Sequence, residues 1–234
     1  MRRLLLSLVL FVAAIGAGRA DDLVGSYAAD GVTPQGQAYK AGVRIEQVGK
    51  LHVVLWKLEG GAAYKGVGIR QGNVLGVAYG PADAKFGFAV YKINGGKLEG
   101  VWADSSDLKS ELGRETLEGS PDLNGTYKIT LGQNRDGLTN YSGTIDIKRN
   151  GNTFLFYWPT KVPALGVGVQ VDDMLVVAYG SNPAKLPGVV AYKSSGGDAL
   201  EGIWAFLDMQ KSSSGSVNIA PPRKAGSETL KRQP

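Results

Sequence analysis

Tyr39, Ala41, Val43 and Ile45 alternate with Lys40, Gly42, Arg44 and Glu46. This is the period-two pattern of a strand with one buried face. Short apolar runs of this kind recur every 8 to 15 residues, punctuated by Gly, Asn, Asp and Pro. They predict strands near 24–29, 38–47, 51–58, 63–70, 73–80, 86–93, 97–103 and 114–118. Asn94-Gly95-Gly96, Arg149-Asn150-Gly151-Asn152 and Ser195-Gly196-Gly197 read as hairpin turns, because Gly and Asn accept positive φ cheaply. Beyond residue 20 no stretch carries a helical period. The pattern predicts an all-β protein.

The same pattern is written twice. Gly25-Ser-Tyr27 returns as Gly125-Thr-Tyr127, Tyr39 to Ile45 as Tyr141 to Ile147, and Trp56 as Trp158. Gly66-Val-Gly-Ile69 returns as Gly166-Val-Gly-Val169, and Val77-Ala-Tyr-Gly80 recurs unchanged at 177–180. Leu98-Glu-Gly-Val-Trp-Ala103 matches Leu200-Glu-Gly-Ile-Trp-Ala205, and Gly113-Arg-Glu-Thr-Leu117 matches Gly226-Ser-Glu-Thr-Leu230. The offset stays at 100 to 102 and then jumps to 113, so the second copy carries an eleven-residue excess near 210–225 that reads as a flexible loop. A period near 100 suits a duplicated small domain. Eight short antiparallel strands per copy fit an up-and-down barrel or a small sandwich. The expectation is two tandem barrel-like repeats, 21–119 and 120–234, in preference to one fused sheet.

Residues 1–20 stand apart from this rhythm. Arg2 and Arg3, the apolar run Leu4 to Ile15 and the small-residue site Gly18-Arg19-Ala20 have the form of a secretory signal peptide. The expected location is therefore secreted or periplasmic. Removing the three leader Arg leaves 23 basic against 21 acidic residues, a formal charge of +2 rather than +5. Arg223, Lys224, Lys231 and Arg232 crowd the tail. That distribution makes a basic tail and no basic stripe, so nucleic acid is not an expected partner. No membrane span is expected either. With no Cys, disulfide staples, thiolate zinc sites and Cys nucleophiles are excluded.

The Gly-x-Tyr opening, Gly-Val-Gly-Ile, Val-Ala-Tyr-Gly, Leu-Glu-Gly-x-Trp and closing Gly-x-Glu-Thr-Leu resemble a family of exported, uncharacterised bacterial tandem-repeat β proteins. Some members of that family are labelled fibronectin-binding. The strand rhythm is also similar, at fold level only, to avidin-like and lipocalin-like barrels. The avidin ligand-site pattern is missing, so biotin does not carry over. What the resemblance implies is export and a repeated β fold.

Candidate chemistry is sparse. His52 is the only histidine and its repeat counterpart is Phe154, so a His-based metal cluster or triad in both copies is excluded. Glu99 with Glu201 and Glu115 with Glu228 recur as pairs. Paired carboxylates run glycoside hydrolysis when held at suitable spacing. The blander reading puts Glu99 in water and Glu115 in a cap or ion pair on the closing strand. Gly66-Val-Gly-Ile lacks the third Gly and following helix of a nucleotide fingerprint. No catalytic residue, metal site or cofactor is assigned. The remaining lead is aromatic. Trp56, Trp158, Trp102, Trp204, Tyr79 and Tyr179 recur at matching strand positions, as barrel filling or as the walls of a ligand mouth. The leading functional expectation is a non-enzymatic binding module for a small molecule, sugar or protein. An adhesin-like protein that binds host or matrix protein comes second, and a hydrolase using paired Glu third.

Overall fold

The computed structural model describes residues 23–81, 83–196, 198–207, 210–211, 217–218 and 220–234. The leader expected at 1–20 lies outside the described residues, as do 212–216 and 219 of the loop expected near 210–225. Two short strands from that loop, β16 (Gln210–Lys211) and β17 (Val217–Asn218), pair antiparallel.

The chain is all-β. Its main strands are β1 (Gly25–Val32), β2 (Ala38–Val48), β3 (Leu51–Leu58), β4 (Ala63–Gln71), β5 (Val74–Gly80), β6 (Gly87–Asn94), β7 (Lys97–Asp104) and β8 (Gly113–Glu118). The second copy supplies β9 (Gly125–Gln133), β10 (Gly143–Asn150), β11 (Thr153–Trp158), β12 (Ala164–Val171), β13 (Met174–Gly180), β14 (Gly188–Ser194), β15 (Ala199–Ala205) and β18 (Gly226–Arg232). They close into two antiparallel eight-stranded barrels. The first runs β1-β18-β15-β14-β5-β4-β3-β2, the second β10-β11-β12-β13-β6-β7-β8-β9.

The barrels do not coincide with the sequence repeats. Each barrel takes five strands from one copy and three from the other, in the same circular order. Strand β5 pairs with β14 (Tyr79 opposite Gly188) where a self-contained repeat would pair it with β6. Strand β13 pairs with β6 in the equivalent register, Tyr179 opposite Gly87. The copies have thus exchanged their last three strands. As a result the second barrel is one continuous stretch, 87–180, inserted between the two parts of the first. The crossing linkers carry Pro81 and Pro187, which favour extended backbone beside them over a tight reversal. An exposed Lys185–Asp83 ion pair ties one linker to the other.

Alternation along the strands sorts the side chains into three cores. Tyr27, Val43, Ile45, Val54, Trp56, Val77, Tyr192 and Leu230 fill the first barrel. Tyr91, Leu117, Tyr127, Ile145, Phe154, Phe156 and Val177 fill the second. The third core lies between the barrels, where outward residues such as Val67, Ile69, Val90, Val169, Val176 and Ala191 are also buried. Strands β4, β5, β6, β12, β13 and β14 are therefore apolar on both faces. Their unbroken hydrophobic runs reflect this. Gly76 sits in this interface, where an added Cβ would lie 2.6 Å from Val176 and 2.7 Å from Val90. Its repeat counterpart is Val176 itself. Duplication thus lets a hole face a knob at a position where two identical chains would present the same residue to each other.

Candidate functional site

Each barrel has a buried glutamate on its closing strand. Strand β18 turns Gly226, Glu228 and Leu230 inward, and Glu228 is only 6% exposed. Its Oε2 accepts from the Tyr39 hydroxyl at 3.2 Å. Its Oε1 accepts from the Tyr192 hydroxyl and from Trp56 Nε1 at 3.3 Å. The same indole N–H lies 3.0 Å from the Tyr192 hydroxyl. In the second barrel Glu115, also 6% exposed, accepts from Tyr91 and from Tyr141 at 2.9 Å. Burial raises both carboxyl pKa values against the opposing pull of these hydrogen bonds. Burial, together with the neighbouring carboxylate, raises the four tyrosine pKa values as well.

Strand exchange decides who meets whom. Glu228 and Tyr192 come from the second copy, while Tyr39 and Trp56 come from the first. In the second barrel Glu115 and Tyr91 come from the first copy and Tyr141 from the second. Neither polar centre is complete within one repeat.

The first barrel opens into a cavity of about 810 Å³. Trp56, Tyr79, Tyr64, Trp204 and Phe206 wall it, with Leu58 and Val190, and Glu228 lies on its lining. The rings touch edge to face or at a tilt: Trp56–Tyr79 at 5.9 Å, Tyr64–Tyr79 at 6.1 Å, Tyr39–Trp204 at 6.2 Å. The indole of Trp204 lies flat across Gly226, where a Cβ would approach it to 2.3 Å, and Trp102 covers Gly113 in the same way. Glycine at these positions seats the ring against the wall and leaves room at the centre. The size and composition are those of a small-molecule site.

The corresponding end of the second barrel is built differently. Phe206 is replaced there by Asp104 and Tyr64 by Ala164, while Val54 inside becomes Phe156. Trp158 stacks on Phe156 (5.7 Å, 24°) and leans on Tyr179 (4.7 Å). Asp104 pairs with Arg135 at 2.7 Å. The same guanidinium donates to the carbonyls of Glu111, Asp107 and Ser110 at 2.7, 2.7 and 3.2 Å. Arg135 therefore clamps the β7–β8 segment as a strap, and its side chain is 9% exposed. Burial opposes ionisation of Asp104, but its Ser106 and Arg135 partners outweigh it and hold the carboxyl below its ordinary range.

The aromatic candidates thus divide. Trp56, Trp204 and Tyr79 come together on the first cavity, whereas Trp158, Trp102 and Tyr179 lie in the second barrel. Glu99 and Glu201 are exposed, Glu99 beside Lys97 at 2.7 Å. Glu115 makes neither the cap nor the ion pair expected of it, and like Glu228 it accepts from tyrosine hydroxyls instead. Residue alternation turns them inward, and they sit in separate barrels rather than facing each other as a catalytic pair. His52 is buried in β3. The sequence pattern alone did not bring Tyr39, Tyr64, Tyr192 and Glu228 together as one group, although the pairing of Tyr39 with Tyr141 and Glu228 with Glu115 was visible as a signal.

No protein-family model, curated protein or solved structure matches the chain. Its function must be argued from the site alone.

Proposed function

We propose that the protein is an exported binding module and that its first barrel receives a small, largely apolar ligand. The observation that carries this reading is the aromatic cavity of about 810 Å³ at the end of the first barrel. Apolar walls supply affinity through buried area, and a few convergent polar groups supply orientation. Tyr64, 46% exposed at the mouth, spends apolar surface on water that a ligand would cover. The leader-like sequence of residues 1–20 supports export.

The neutral fluorophore N-phenyl-1-naphthylamine tests the proposal. Its emission should rise on mixing with the mature chain, with a micromolar or tighter Kd. Leu58→Trp places a bulky ring on the half-buried cavity wall and should abolish that rise while the far-UV spectrum stays unchanged. An undiminished signal in the variant places binding elsewhere and refutes the assignment.

A further inference from the structure

The carboxylate on the cavity lining has acceptor capacity left over. An ionised glutamate offers about four acceptor sites on its two oxygens. Tyr192 and Trp56 occupy Oε1, and Tyr39 occupies one site of Oε2. All three donors are neutral, and among the described residues no cationic side chain pairs with Glu228. Lys65, the one cation on the lining, is exposed on the outer side of β4, opposite Leu55. A buried carboxylate without a counter-charge costs free energy that an incoming cation recovers.

The walls favour the same occupant. Trp56 donates to the carboxylate, and Tyr79, Tyr64 and Trp204 line the same cavity with ring faces and edges. Rings so placed attract a cation within about 6 Å through their quadrupoles, most strongly when water is excluded. An anion would meet repulsion from Glu228 and find no positive partner among the described residues inside the barrel.

Building on the proposed binding function, we infer that the ligand of the first barrel bears a cationic nitrogen, an amine or quaternary ammonium, on an apolar body. The nitrogen sits among the rings beside Glu228, and the apolar body lies against Leu58, Val190 and Phe206 toward the mouth. The second barrel keeps the glutamate and two tyrosines, but its mouth carries a cation of its own, Arg135, paired with Asp104. Only the first barrel is expected to take the ligand.

Three chain-matched probes discriminate the possibilities: decyltrimethylammonium and decanoate, each below its micellar concentration, and decanol, below its solubility limit, titrated into the mature protein at pH 7.5. Intrinsic tryptophan fluorescence is the readout. The cation should bind at least tenfold more tightly than decanol or decanoate. Glu228→Gln should weaken the cation about tenfold and leave decanol unchanged, while Glu115→Gln should alter neither. If decanol or decanoate equals or exceeds the cation in the wild-type protein, the inference is overturned and the cavity stands as a site for uncharged or anionic ligands. If none of the three binds, the binding function falls with it. Should Glu228→Gln unfold, the ranking of the three probes on the wild-type protein still separates a cation site from a neutral or anionic one.

Discussion

Glu115 and Glu228 look alike in sequence and share a burial, a strand position and a tyrosine shell. For both, burial is the dominant cause of a raised carboxyl pKa. A raised folded-state pKa means that the folded protein holds its proton more tightly than the unfolded chain. The resulting stability is complete below the unfolded value of about 4.5 and is lost as pH rises through the folded-state values. Asp83, Asp104, Asp107, Asp122 and Asp136 are shifted the other way, so the total curve mixes both signs. The difference between wild type and Glu115→Gln with Glu228→Gln isolates the buried pair. Across pH 4 to 7 the wild-type Tm should fall relative to that of the double variant, as followed by circular dichroism. A wild-type Tm that gains on the variant would mean that the tyrosine hydrogen bonds outweigh burial.

At the scale of elements, strand positions and turns were legible because period-two alternation and Gly-Asn punctuation are local properties. All eight predicted strands of the first copy form within a few residues of their expected bounds. The strap over the second barrel was not legible. Asn134-Arg-Asp-Gly137 reads as a turn, and so it is, with Asp136 Oδ1 accepting from the amides of Leu138 and Thr139. Nothing near Arg135 in sequence says that its guanidinium reaches back to 104–111. Arg135→Ala deletes four hydrogen bonds and leaves Asp104 without its cation. At about 1 kcal/mol net per bond, somewhat more for the charged one, the strap should loosen measurably. Amide exchange of residues 105–112 should accelerate at least tenfold while the strand amides keep their protection. Unchanged exchange there would show that Lys50–Glu111 and the local turns hold the strap without Arg135.

For the whole molecule, the repeat announces two barrels but does not say which strands close each one. A β6 strand meets equivalent neighbours whether it pairs with its own β5 or with β13, since Val77-Ala-Tyr-Gly80 and Val177-Ala-Tyr-Gly180 are identical. The linkers and the Gly76–Val176 contact favour the exchanged pairing, and neither stands out in a sequence. Exchange of elements between like units is a low-cost rearrangement because it reuses the same interface. It has a direct consequence for dissection. A fragment spanning 84–182 contains a complete barrel, crosses both repeats and should fold with the near-ultraviolet signature of packed aromatics. It also bares Phe88, Val90, Val169 and Val176, so self-association should appear on gel filtration. An unfolded fragment would mean that closure depends on the neighbouring barrel.

The first barrel carries an open aromatic cavity and the second a strapped end, and the count of bound ligands tests that division most directly. Calorimetric titration of decyltrimethylammonium into residues 21–234 should give one site per chain. Trp56→Phe, which removes an indole from the cavity and a donor from Glu228, should weaken that site severalfold. Trp158→Phe, in the strapped barrel, should leave it untouched. Two equivalent sites per chain, or a loss of affinity that follows Trp158 in place of Trp56, would contradict the account.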